Sequence, residues 1–353
     1  MTPAKPSERL AWLTAGVLWL YFVLAGFQAS AESEAPASAE SPLPPTLQET
    51  GLFKAGSSEV DPRNLAFSPQ YPLWSDGASK RRWIRLPAGK TIDASDADAW
   101  QFPAGTRLWK EFSFGRRVET RYMERLADGS WRYATYVWSD DGREARLAPE
   151  LGAPSSAPIT NAAAQHDVPG RADCRACHEG RRSPVLGFTA LQLSPDRDQA
   201  ALHGEALPRG AFDLRALAAS GLLRGLPARV LREPPRIAGV SPTARAALGY
   251  LYGNCSSCHN ADGPLASLGL DFDQRLFEPG DARVRRTAQG APSRFTLPGE
   301  SQSLRIAPHQ PETSALVFRM SSRFAANQMP PLGTKLVDAD AVELVSNWIT
   351  REL

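Results

Sequence analysis

Cysteine, methionine and histidine are scarce in this chain: four, four and five residues in 353. So few thiols exclude the disulfide-stapled framework of a small secreted domain. Neither sign of charge is in large excess, the formal net charge being +2, which removes the electrostatic footprint of a nucleic-acid binder. After residue 27 no apolar run approaches the roughly 20 residues that a spanning helix needs. Beyond residue 31 about 320 residues remain, enough for two or three compact units with their own cores.

The start of the chain has the layout of a leader. Lys5 and Arg9 precede an uncharged apolar run over residues 10–27, and Ala29-Ser30-Ala31 is a small-x-small cleavage box. Residues 1–31 read as a secretory signal peptide, with an uncleaved membrane anchor as the other reading. The expected location is the periplasm, and the only membrane contact expected is such an anchor.

The placement of the four cysteines says more than their number. All belong to two copies of one motif, Cys174-Arg175-Ala176-Cys177-His178 and Cys255-Ser256-Ser257-Cys258-His259. Cys-x-x-Cys-His is the attachment sequence of c-type haem: two thiols one turn apart bond the vinyl groups, and the next imidazole reaches the iron. Two covalently attached haem c groups are therefore expected, on Cys174, Cys177, Cys255 and Cys258, with His178 and His259 as iron ligands. A zinc cage of four sulfurs or a pair of disulfides would use the same cysteines. Neither needs a histidine after the second cysteine, and here it follows both times. Cysteines bridged three apart belong to thioredoxin-like sites, whose βαβ surroundings are missing.

The predicted fold class is α+β multidomain, an antiparallel β domain followed by a mainly α-helical two-haem region. Residues 32–49, Ala, Ser, Glu and Pro in the main, read as a disordered spacer. Over residues 50–150, runs at 82–86, 106–112, 118–123 and 131–138 alternate with period two, and Asp128-Gly129 marks a hairpin. A small sandwich or barrel is expected there. Trp74, Trp83, Trp100, Trp109, Trp131 and Trp138 fall in it and read as core, with a ligand groove as the sharper alternative. Asp76, Lys80, Lys110 and Glu119 read as ordinary solvated charges. Residues 151–240 carry the first motif and a short helix over 213–224. Residues 241–353 carry the second, led in by a helix that Ser241-Pro242 opens and followed by a last helix that Asp338 caps.

The order of features from 241 to 353, with Met329-Pro330-Pro331-Leu332-Gly333 ahead of the last helix, resembles a single-haem cytochrome c domain. That resemblance implies His259 as proximal and Met329 as distal ligand of the second haem, Met320 being a packing residue. It also implies that the terminal helices cross, with Gly249 or Gly253 against Trp348. Pro264 is the expected carbonyl for the ring N–H of His259. For the first haem no methionine follows His178 until Met320, which leaves His166, then Met123, then His203 as distal candidates. With none of them on iron, that haem would be open to peroxide or another small ligand. His309 reads as a loop residue.

From about residue 51 to 353 the chain resembles a family of secreted two-haem c-type cytochromes of Gram-negative bacteria. Tyr71-Pro72-Leu73-Trp74-Ser75-Asp76-Gly77, Phe102-Pro103-Ala104-Gly105-Thr106, Lys110, Glu119-Thr120-Arg121, Tyr136-Val137-Trp138 and Asn254 carry the likeness. The expected function is single-electron transfer between protein redox partners, not catalysis. The alternative is a two-haem peroxidase-like enzyme with an open first haem, to which the β domain is foreign.

Overall fold

The computed structural model describes residues 42–159 and 164–353. The leader and residues 32–41 of the expected spacer lie outside the described residues. Residues 44–353 make one compact unit, a mixed α+β arrangement with an antiparallel sheet in its N-terminal part and short helices after it.

The strands are β1 (Leu65–Ala66), β2 (Ser79–Arg85), β3 (Ile92–Asp93), β4 (Arg107–Phe114), β5 (Arg116–Arg125), β6 (Trp131–Trp138), β7 (Ala145–Leu147), β8 (Ala153–Pro158), β9 (Gln165–Val168) and β10 (Leu223–Arg224). Six of them form one antiparallel sheet in the order β1-β2-β4-β5-β6-β7. This is neither the expected sandwich nor a barrel, because each face of the sheet is covered by other parts of the chain. One face packs under residues 44–53: the Trp109 indole donates to Thr50 Oγ1 at 2.9 Å, the Tyr136 hydroxyl to the Pro44 carbonyl at 2.9 Å, and Phe53 meets Trp138 edge to face. Leu47 and Leu52 are fully buried there. The expected spacer therefore ends earlier than residue 49, since Thr46 already bridges Arg146 and Leu47 bonds Ala145.

The other face of the sheet looks toward segments that follow it in the chain. The Arg171–His178 helix packs on β6. Pro242–Asn254 begins where expected, with Ser241 Oγ accepting from the Ala244 N–H at 3.0 Å and proline in the first turn. Ala339–Glu352 begins at Asp338, whose carboxylate accepts from the Ala341 N–H. These two helices share one core, where Leu248, Leu251, Val345, Trp348 and Ile349 are buried, each such side chain stabilising by about 1.5–3 kcal/mol. The two helix glycines have a close neighbour that was not predicted. A Cβ on Gly249 would fall 2.1 Å from Tyr71 Cε1, and one on Gly253 would fall 2.6 Å from the Tyr71 carbonyl oxygen. On that side the small residues admit the Tyr71-Pro72 segment.

The helix expected over residues 213–224 stops at Ala219 after an Asp213 cap, and Leu223–Arg224 turns into a strand parallel to β3. No helix of the described residues is long and apolar enough to cross a membrane.

Candidate functional site

Both Cys-x-x-Cys-His motifs open onto a single cavity of about 1010 Å³, at the top of the usual range for one small-molecule pocket. Its wall carries all four cysteines, His178, His259, Met329, Met320, His166 and Met123.

The first motif is the end of a helix. The Gly170 N–H donates to Asp173 Oδ2 at 2.9 Å, which gives Arg171–His178 an acidic first turn to match its dipole. The turn sets Cys174 and Cys177 three apart, with His178 as the last residue. His178 Nδ1 lies 2.7 Å from the Pro184 carbonyl oxygen, so that nitrogen holds the proton and Nε2 keeps the lone pair. Burial lowers the pKa of His178 to about 4, and the charges of Lys110 and Arg121 act in the same direction. The ring is thus neutral at pH 7, the state that ligates metals.

In the second motif Cys255 ends the Pro242–Asn254 helix, and the His259 N–H donates to the Cys255 carbonyl at 2.9 Å, continuing the turn. His259 is also neutral: burial first, then Arg319 and Arg305, lower its pKa to about 4. Its Nδ1 is buried with no hydrogen-bond partner, so the Pro264 carbonyl does not receive it as expected. Phe272 stands edge-on to the ring.

None of the four thiols forms a disulfide. Burial pushes the Cys177 thiol up to about 11 and Cys255 up to about 12, so both are neutral thiols at pH 7. Among the described residues no three His, Cys, Asp or Glu side chains converge to hold a metal ion, so no four-sulfur cage is assembled.

The two motifs meet along a tight seam. A Cβ on Gly180 would fall 2.2 Å from the Ser257 carbonyl oxygen. Asn260 Nδ2 donates to the Gly180 and Ser256 carbonyls, both at 2.8 Å, and Arg181 reaches Ser256 Oγ at 3.2 Å while pairing with Asp273. Cys177 and Cys258 are close enough for one sulfur's charge to raise the other's pKa.

The distal candidates separate. Met329 and Met320 both line the cavity, Met320 also being part of the hydrophobic core. Met329 is tied to the wall by its N–H, which donates to the Arg319 carbonyl at 3.0 Å. His166 lies on β9, not in a loop; it is buried, ringed by Phe112 and Phe114, with Nε2 3.2 Å from Glu119 Oε1. Met123 is buried on β5, next to Tyr133, whose ring is 5.4 Å from that of His178. His203 is outside the cavity wall: its Nε2 is 2.8 Å from Asp338 Oδ2 and its ring lies on Trp74. His309 is in a loop, 3.1 Å from the Thr350 carbonyl.

The four charges read as solvated are not. Asp76 is 4% exposed, with φ +54°, and accepts from the Lys335 and Leu336 N–H groups at 2.9 Å. Glu119 is fully buried against Arg121. Burial lowers Lys80 to about 8 and Lys110 well below its ordinary value. Sequence reasoning passed over Lys110, Arg82 and Arg121 as site residues, though all three line the cavity. The signal was present in β4, where Lys110 shares a face with Leu108 and Phe112. Of the tryptophans, Trp83, Trp100, Trp109 and Trp138 are buried, and Trp74 and Trp109 line the cavity.

Compared with protein-family profiles, with curated proteins and with solved structures, the chain matches none.

Proposed function

We propose that this chain is a periplasmic two-haem c-type cytochrome, related to the secreted two-haem family it resembles, that passes single electrons between protein redox partners. The observation that carries this reading is the convergence of two Cys-x-x-Cys-His motifs, with two neutral imidazoles, on one large cavity. The residues present fit the group: four partly buried, unbridged thiols lining a common space, a buried and unpartnered His259 ring nitrogen, and a thioether on the same wall. Bound haem iron supplies one-electron chemistry, which no side chain here does alone.

The chain's own residues have distinct tasks in this reading. Cys174 and Cys177 anchor one group, Cys255 and Cys258 the other. The Pro184 carbonyl orients His178 by holding its Nδ1 proton. His259 and Met329, both on the cavity wall, would hold the second iron, and the thioether would raise its potential. Met329 is held in place because Asp76 fastens the following segment to the start of the sheet. His166 remains the foremost distal candidate for the first iron, ahead of Met123; His203, held by Asp338, drops out. The seam at Gly180 and Ser257 brings the motifs together for electron exchange. The helical part from residue 171 then acts as the two-haem region, and the sheet walls the first haem.

Expression with a c-type haem maturation system, followed by pyridine haemochrome quantification and electron paramagnetic resonance, tests this. Two covalent haems per chain, both low-spin and neither binding carbon monoxide, are expected. Zinc with no haem would refute the reading. One high-spin haem that binds carbon monoxide and reacts with peroxide would turn it to the peroxidase-like alternative.

A further inference from the structure

Three cations stand in a row across the sheet face that walls the cavity. In the strand register Arg82 of β2 is opposite Lys110 of β4, and Lys110 is opposite Arg121 of β5. Like charges directly opposed across strands are destabilising, and desolvation beside a cavity sharpens the cost. Two members are answered by carboxylates: Arg82 pairs with Glu205, which also lies 4.0 Å from Lys80, and Arg121 pairs with Glu119 at 2.7 Å. Lys110 has no ion pair or hydrogen bond among the described residues. Its Nζ stands over the Phe112 ring, 4.8 Å from the centroid. Lys80, Arg82, Lys110 and Arg121 against Glu119 and Glu205 leave two positive charges unbalanced.

The row belongs to the first motif. Arg82, Lys110 and Arg121 line the cavity that Cys174, Cys177 and His178 enter, and the charges of Lys110 and Arg121 reach both Cys177 and His178. His259 feels Arg319 and Arg305 instead. A haem carries two propionate carboxylates, and charge-assisted bonds to them are among the stronger hydrogen bonds a protein makes. We propose that the Arg82–Lys110–Arg121 row binds the two propionates of the haem attached at Cys174 and Cys177, with Lys110 supplying the cation that no protein carboxylate claims. This inference rests on the haem reading of the first motif.

The test is spectroelectrochemical titration of the haem-loaded protein and its Lys110→Met and Lys110→Arg variants, with electron paramagnetic resonance on each. Removing a cation beside the first haem favours its ferric state. In Lys110→Met the oxidised-to-reduced ratio of that haem alone should rise roughly tenfold at fixed ambient potential, ~59 mV for a one-electron couple, with both haems still low-spin. Lys110→Arg, which keeps the charge, should restore most of the shift and guards against a folding defect in the first variant. No shift in Lys110→Met, or an equal shift of both haems, overturns the proposal. So does loss of the low-spin signal, which would make Lys110 an iron ligand. Fewer than two haems on the unmutated chain would instead bring down the reading beneath it.

Discussion

The two motifs are alike in sequence and differ in what encloses them. The first ends a short helix packed on β6, and its share of the cavity wall is the cation-bearing face of the sheet. The second ends a long helix inside the core of the C-terminal part, and its wall is methionine, arginine and phenylalanine. Cys-x-x-Cys-His fixes only the anchoring side of a haem. The opposite side is set by whichever element the chain brings there, a charged sheet in one case and a Met-Pro-Pro segment in the other. The same attachment chemistry can in this way give two different redox environments.

The comparison is broken most strongly at Met329. On the two-haem reading, Met329→Ala should take the thioether from the second haem and leave the first unchanged. Half of the haem should become high-spin and bind carbon monoxide, and the weak near-infrared band of thioether ligation should vanish. Spectra of the ferric and ferrous carbon monoxide forms check this. An unchanged spectrum would pass the ligand role to Met320, the other methionine on the same wall.

Gly180→Ala attacks what the two sites share. The new Cβ would lie 2.2 Å from the Ser257 carbonyl oxygen, and backbone cannot yield as a flexible side chain would. Overpacking of this kind costs about 1–3 kcal/mol, a fall of roughly 1.5–5 °C in Tm for a chain of this size. Calorimetry measures the fall. The seam reading adds that haem-to-haem electron exchange should slow while both spectra stay low-spin.

How much of this was legible in the sequence depended on the range over which each signal acts. β6 lies where the 131–138 alternation put it, and the Ser241 and Asp338 caps begin their helices as predicted. Those signals are local. The motifs mark themselves by their spacing. The solvated reading of Lys110 and Glu119 failed because both faces of β4 and β5 are covered, so that charge no longer marks the outside. Tyr71 against Gly249 was not foreseen because it arrives from far along the chain, and nothing near the glycine announces it. That both motifs share one cavity has no local signal at all.

Asp98, which lines a small pocket beside the seam together with Arg181, Asn260 and Asp273, should make the region respond to pH. Burial, with Asp273 and Asp96 acting in the same direction, raises the pKa of Asp98 from the usual 3.8 to about 7. Between those values the folded chain holds a proton that the unfolded chain releases. The contribution of Asp98 to stability is therefore greatest below about pH 4, declines as pH rises to about 7, and is flat above, each tenfold change in proton affinity being worth about 1.4 kcal/mol. The loss by pH 8 should be of the order of a few kcal/mol, and Asp98→Asn should remove it. Denaturant midpoints of the two proteins at pH 5 and pH 8 decide the matter; parallel pH dependence would acquit Asp98.

The smallest effect expected is at the clamp between the sheet part and the Met329 segment. Asp76 accepts from two backbone N–H groups, those of Lys335 and Leu336, in a left-handed conformation with φ +54°. Asparagine tolerates that conformation nearly as well, so Asp76→Asn removes charge and one acceptor oxygen without adding strain. The loss should be about 1–2 kcal/mol, as for hydrogen bonds to a charged acceptor. If the clamp serves the second site alone, the spectral change should be confined to the second haem, as partial loss of the near-infrared thioether band on warming. A change at the first haem as well would mean that the sheet transmits it, and the two sites would no longer count as independently enclosed.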